Sequence, residues 1–167
     1  MTKSNSSRKF EPNKLTESDN QIITDYRKKR TLFDNYLKEN NLNLYTCPGC
    51  GYPTLTERGK YEICEVCNWE DDNQDDVNED EVWGGPNSYL SLTENRINIG
   101  RVLNLLAENL NGKININPIQ VLEIIEGHSA KMESGYMRKL MNSRISDPIW
   151  NEFRNKDKEI LLKLIKQ

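Results

Sequence analysis

The sequence predicts an α+β fold in which a small four-cysteine β-hairpin module packs with four to five α-helices. Three observations predict it. All four cysteines of the 167-residue chain fall into two C-x-x-C pairs, Cys47/Cys50 and Cys64/Cys67, with thirteen residues between the pairs. Apolar residues at helical spacing, with capping signals, lie on both sides of that segment. Hydrophobic residues make up only 35% of the chain and mean hydropathy is −0.82, so the core is lean and a segment as short as the cysteine module cannot hold itself by apolar burial alone.

The elements follow in chain order. Residues 1–17 are rich in Ser, Asn, Lys and Thr without periodicity and are expected to form a disordered tail. Residues 18–40 form the next segment, with a helix from Ser18 to Lys38. Ile22, Tyr26, Phe33 and Leu37 make its stripe, Ile23, Leu32 and Tyr36 broaden it, and Ser18 or Asp19 caps it. The run Arg27, Lys28, Lys29, Arg30 reads as a solvated face. Asn40 to Asn43 break the helix.

Residues 43–100 form the cysteine module. Tyr52 to Thr56 and Lys60 to Ile63 are its candidate strands, turned at Arg58-Gly59. No regular element is evident over 70–88. Ser91 and Glu94 form an S-x-x-E capping box that opens a helix carrying Ile99, Leu103, Leu106 and Leu110 and stopped by Gly112. Residues 101–167 form a helical arm. Asn117-Pro118 starts a helix with Ile119, Leu122 and Ile125, ended by Gly127. Met132, Tyr136, Met137, Leu140 and Met141 mark a further short helix. Asp147-Pro148 starts a last one, with Ile149, Phe153, Ile160 and Leu164 on its stripe and Trp150 and Leu161 beside it.

The cysteine spacing carries the chemistry. Two residues between cysteines let one tight turn aim both sulfurs at a common point. In Cys47-Pro48-Gly49-Cys50-Gly51, proline presets one turn angle and glycine accepts positive φ. Backbone amides in such a knuckle donate to the thiolates. Thirteen residues suffice to return the second pair, so Cys47, Cys50, Cys64 and Cys67 are expected to bind one structural Zn2+ in a zinc-ribbon-like hairpin. Four thiolates leave no open coordination position, and no βαβ context for a redox C-x-x-C is present.

Charge is distributed unevenly. Residues 1–44 carry nine basic and six acidic side chains, residues 45–100 three and twelve, and residues 101–167 eleven and eight. The module is thus an acidic island between mildly basic flanks. Its acids concentrate between Asn68 and Trp83, where eight carboxylates occur without a basic residue. A solvated loop explains such a stretch. A partner-binding surface formed by Glu70, Asp71, Asp72, Asp75, Asp76, Asp80, Glu81 and Trp83 also explains it, because clustered carboxylates steer a basic partner and an exposed tryptophan anchors it. Trp69 reads as core. The acids lack an EF-hand register. Gly84-Gly85-Pro86-Asn87 reads as a turn rather than a phosphate cradle. His128, the single histidine, reads as a surface or capping residue.

No apolar run approaches the roughly 20 residues that span a bilayer. The first twenty residues contain no apolar signal core. A cytoplasmic location without membrane contact is expected, where paired cysteines serve as metal ligands.

CPGCGYPTL, YEICEVCNWEDD and GGPNSYLSLTENR, in that order, resemble the bacterial cysteine-rich CPCC family over about Tyr45 to Gly100. That family shows a CPCC first knuckle, a GY-x-TL strand, a WEDD second knuckle, a GG-x-N loop and an SL-x-x-A/N-R helix start. Gly49 stands where its middle cysteine falls, and Glu65 replaces the usual proline of the second knuckle. Cys47 and Cys50 keep the ligand spacing. The resemblance implies proteins encoded near bacterial toxin systems with an immunity role. The expectation is therefore a zinc-stabilised binding protein, not an enzyme, that inhibits a bacterial toxin domain by occluding it with the acidic surface. The alternative is a nucleic-acid-binding zinc-ribbon regulator, against which the acidity of the module counts.

Overall fold

Thr16 starts the first helix. Its hydroxyl accepts from the Asp19 amide while the Asp19 carboxylate accepts from the Thr16 amide, a reciprocal capping box. Helix α1 therefore spans Glu17–Glu39, and the N-cap lies upstream of the Ser18 and Asp19 that the sequence favours. The computed structural model describes residues 10–131, 139 and 142–167. The described part of the expected tail is structured: Pro12–Lys14 make a 3-10 turn, and the Phe10 amide donates to the Asp80 carbonyl.

Ile22, Tyr26, Phe33 and Leu37 are buried as their stripe predicts, whereas Leu32 is exposed. Two short 3-10 turns, Asp76–Asn78 and Gly85–Asn87, interrupt the irregular acidic stretch. Helix α2, Leu92–Asn109, opens on the expected box: Ser91 Oγ accepts from the Glu94 amide and Glu94 returns to the Ser91 amide.

The chain divides into two compact units, one ending at Val102 and one beginning at Leu103. In the first, α1 and the start of α2 pack on the cysteine segment around Phe33, Tyr52, Leu55, Trp69, Leu92 and Ile97, all buried. The Phe33 and Tyr52 rings lie 5.7 Å apart.

The expected hairpin pairing differs from the one observed. Tyr52 to Thr56 and Lys60 to Ile63 do not form a ladder; each pairs instead across its own knuckle, through antiparallel bridges Tyr45–Leu55 and Ile63–Glu70. Backbone groups that a ladder between the two runs would need are engaged elsewhere: Leu55 exchanges both of its bonds with Tyr45, the Tyr61 amide donates to the Asp71 carbonyl, and the Glu62 carbonyl accepts from the Asp71 amide.

The second unit holds a two-stranded antiparallel sheet that no alternation in the sequence announces: β1, Lys113–Ile114, pairs with β2, Ile165–Lys166, in the register Lys113–Lys166 and Ile114–Ile165. Helix α3, Pro118–Lys131, starts at the Asn117 cap, whose Oδ1 accepts from the Gln120 amide. It runs through Gly127, which the sequence reads as a stop. Its buried face is Val121, Ile125 and His128, at i, i+4 and i+7, while Ile119 is exposed. His128 is thus a core residue and not the surface or capping residue expected. Helix α4, Pro148–Lys163, follows the predicted proline start and buries Ile160, with Leu164 just beyond it. The short helix expected over Met132, Tyr136, Met137, Leu140 and Met141 lies outside the described residues. No helix among the described residues is long and apolar enough to cross a membrane.

Candidate metal centre

The two knuckles have one backbone design. In the first, the Cys47 amide donates to the Tyr52 carbonyl at 2.8 Å and the Gly51 amide donates back to the Cys47 carbonyl at 2.8 Å. In the second, the Cys64 amide donates to the Trp69 carbonyl at 2.9 Å and the Asn68 amide to the Cys64 carbonyl at 2.8 Å. The residue after each second cysteine takes positive φ, Gly51 at 78° and Asn68 at 60°. Glycine and asparagine are the residues that accept this conformation at least cost. The next residue in each case is a buried aromatic, Tyr52 or Trp69. Trp69 is core, as the sequence suggests.

This design brings Cys47, Cys50, Cys64 and Cys67 together, with one sulfur from each inside a common 4.8 Å span. A tetrahedron with metal–sulfur bonds of about 2.3 Å has edges of about 3.8 Å. Cys47 Sγ lies 3.7 Å from Cys67 Sγ, and Cys50 Sγ lies 3.6 Å from Cys64 Sγ. Two opposite edges of the donor set therefore have the length that a tetrahedral thiolate site requires, and the rest lie within 4.8 Å.

Its electrostatics favour a cation. Burial pushes the Cys47 and Cys67 thiols well above the usual range. At Cys64 burial acts the same way, but hydrogen bonds from the other cysteines and from Thr54 outweigh it and hold that thiol low. The Thr54 hydroxyl reaches Cys64 Sγ at 3.1 Å, and the Gly49 amide reaches Cys47 Sγ at 3.3 Å. A buried cluster of four sulfurs cannot carry four negative charges unaided. A bound dication is what lets all four deprotonate together.

The first knuckle is clamped from outside. Its Pro48 carbonyl accepts from Tyr26 Oη and from Arg96 Nε, each at 2.8 Å. Its Gly49 carbonyl accepts from Asn95 Nδ2 at 3.2 Å. Gly49 also explains the departure from a CPCC knuckle. A Cβ there would stand 2.6 Å from Asn95 Nδ2, 2.9 Å from Trp69 Cβ and 3.1 Å from Cys67 Sγ. The second knuckle is held through Asn87, whose side-chain amide imitates a paired strand: Oδ1 accepts from the Glu70 amide at 2.9 Å, and Nδ2 donates to the Glu70 carbonyl at 2.8 Å.

The structure distributes the acidic stretch unevenly. Asp71 is fully buried, accepts from the Gly59 amide at 2.7 Å and pairs with Arg58 at 2.9 Å. Asp75 pairs with Arg30 at 2.6 Å and Arg58 at 2.9 Å. Asp76 pairs with Arg96 at 2.7 Å and also with Arg30. Glu79 pairs with Arg27 and Arg96. Asp80 accepts from the Thr93 hydroxyl at 2.6 Å, and Asp72 from the Gln74 amide at 3.1 Å. Glu70 contributes its backbone to the Asn87 pair. Glu81 and Trp83 remain exposed and bond each other, Trp83 Nε1 donating to Glu81 Oε2 at 2.9 Å. Half of the eight carboxylates, Asp71, Asp75, Asp76 and Glu79, thus form an internal clasp for arginines, and the carboxylate surface expected from the sequence shrinks accordingly.

The basic run of α1 changes its reading for the same reason. Lys28 is exposed, as a solvated face requires. Arg27 and Arg30 are the clasp's partners, and Arg30 also reaches Thr46 Oγ1 at 3.2 Å. The residues that sequence reasoning missed are Tyr26, Arg30, Asn87, Asn95 and Arg96. Asn87, Asn95 and Arg96 stand in the quoted GG-x-N and N-R motifs. Arg96 interrupts the apolar start of α2 and was a visible signal for a buried polar task.

Comparison with known families fits this geometry. Residues 45–102 match the family described as Cysteine-rich CPCC. The matched module ends within α2, and α1 lies wholly outside it. No curated protein and no solved structure matches the chain.

Proposed function

We propose that the four cysteines hold one structural Zn2+ and that the CPCC module so stabilised acts by binding a protein partner, not by catalysis. The observation that supports this is the convergence of four sulfurs within 4.8 Å, with two opposite edges at tetrahedral length. Four protein thiolates complete the coordination shell of zinc and leave no position for water or substrate. Tetrathiolate donors suit zinc among the divalent ions of a cell.

The partner surface we favour is narrower than the acidic stretch. It is the segment after the clasp, where Glu81, Trp83, Tyr89 and Leu90 are exposed, Tyr89 at 79%. Asn87 pins this loop to the second knuckle, and Ser88 next to it holds φ at 58°, a strained value for serine. Large aromatic side chains displayed on a pinned loop in an acidic module fit a protein with a basic rim around an apolar pocket. Inhibition of a toxin domain by occlusion is the finer form of this reading. The nucleic-acid alternative has less to work with, because Arg27, Arg30, Arg58 and Arg96 are all engaged by carboxylates.

The first test is metal content. One zinc per chain, and a Co2+-substituted protein with tetrathiolate charge-transfer absorption, are expected; a chain that folds fully in chelator without metal overturns the metal reading. The second test is capture of a stoichiometric partner encoded beside the gene. Capture should be lost in Trp83→Ser/Tyr89→Ser and kept in Asp80→Asn. Protection of cells that express the captured partner as a toxin distinguishes inhibition from mere association.

A further inference from the structure

Lys29 differs from the other members of the basic run. Arg27 and Arg30 face carboxylates, and Lys28 faces solvent. The Lys29 ammonium sits 4.0 Å from the centroid of the Tyr52 ring, on the aromatic residue that closes the first knuckle. It is partly buried, and among the described residues no carboxylate forms an ion pair with it. Burial acts to discharge it, and the groups that oppose this are Cys50, Cys67, Cys47 and Cys64.

We propose that Lys29 is the counter-charge of the metal centre: α1 holds its ammonium over Tyr52, where it offsets part of the charge of about −2 that four thiolates and one divalent cation carry together. This rests on the metal reading above. The physical reason is the low dielectric of the site. A net negative cluster is costly to bury, and a cation held against the aromatic residue that closes the first knuckle lowers that cost. Holding the cation by an aromatic face, rather than by a carboxylate, leaves its full charge available to the thiolates. The counter-charge then comes from a helix outside the matched module, so that module is electrostatically incomplete without α1 in this chain.

The experiment is a competition of the full-length, metal-loaded protein against a zinc chelator at fixed pH and ionic strength, with variants Lys29→Met, Lys29→Arg and Lys28→Met. Methionine keeps an unbranched stem over Tyr52 and removes the charge. Zinc affinity should fall about tenfold in Lys29→Met, the usual scale for a group that tunes ligands from outside the coordination shell. Lys29→Arg should restore it, and Lys28→Met, with the same change in net charge, should not move it. Far-UV circular dichroism and the Co2+ spectrum should be the same in all four proteins. A Lys29→Met affinity within twofold of the parent overturns the counter-charge and leaves the metal reading standing. An equal loss in Lys28→Met also overturns it, as an effect of overall charge. Absence of a tetrathiolate spectrum in the parent overturns both readings. If Lys29→Met fails to fold, Lys29→Gln takes its place in the same comparison.

Discussion

The two knuckles share a backbone and differ in what holds them. Each closes with the same pair of hydrogen bonds, the same positive-φ residue and the same buried aromatic. The first is fixed from three directions by side chains distant in sequence, Tyr26, Asn95 and Arg96, and both of its cysteines are buried. The second is held by Asn87 and by the Thr54 hydroxyl on Cys64, and its Cys67 is partly exposed. The difference teaches that knuckle geometry is local, whereas the position of a knuckle is a property of the surrounding fold. The first is held inside the unit, and the second lies nearer solvent through Cys67.

The comparison can be broken at the metal itself. Cys64→Ser removes a donor of the second knuckle from the site that the two knuckles share and should abolish metal-dependent folding of the unit, a loss of several kcal/mol at least, because metal binding in such sites is folding free energy. Thermal unfolding with and without chelator measures it: the parent should lose stability in chelator and the variant should not respond. A variant that keeps its zinc and its melting temperature refutes the shared site.

Arg96→Leu attacks the first knuckle only. The Arg96 side chain is fully buried, donates to Pro48, pairs with Asp76 and Glu79, and stacks 4.2 Å above the Tyr26 ring. Its removal leaves those carboxylates short of a partner and should cost about 3–5 kcal/mol in urea unfolding. Arg96→Lys should recover only part, because an ammonium cannot reproduce the planar fork. A cost below about 1 kcal/mol would show that the knuckle does not depend on this clamp.

Smaller changes sharpen the contrast. Gly51→Ala and Asn68→Gly alter equivalent positions. At Gly51 a Cβ would meet positive φ and the Tyr26 ring at 3.2 Å, so Gly51→Ala should cost about 2 kcal/mol. Asn68→Gly relieves a positive φ instead of imposing a Cβ on one and should cost less than Gly51→Ala. Equal effects at the two positions would remove the asymmetry.

The smallest expected effect is a pH dependence. Burial alone would raise the Asp75 pKa, but the Arg30 and Arg58 guanidiniums outweigh it and hold the carboxyl well below the usual range. A carboxyl whose folded value is depressed contributes stability that is full above its unfolded value of about 3.9 and is lost as pH falls through the folded value. Asp75→Asn should therefore melt lower than the parent at pH 7, by the equivalent of about 1–2 kcal/mol. The gap should narrow steadily below about pH 4. A gap that stays constant with pH would mean the clasp works by shape and not by charge.

The sequence by itself determined the cysteine cluster, the cap of α2 and most of the helical stripes, because these depend largely on residues within one turn of each other. Two cysteines three apart, Ser91 with Glu94, and Ile22 with Tyr26 are local patterns with local consequences. Of the two glycines that the first knuckle offers for positive φ, Gly51 takes it. Only the tertiary structure decided the rest. The eight carboxylates of the acidic stretch look alike in sequence, yet Asp71 is buried and Glu81 exposed, because the arginines that claim some of them and not others lie from 13 to 52 residues away. The same holds for the β1–β2 pairing, for His128 inside its unit, and for Lys29 over Tyr52. Periodicity tells which side of a helix is apolar. Which charge meets which is set when distant segments pack, since Coulomb and hydrogen-bond partners are chosen by distance in space and not along the chain.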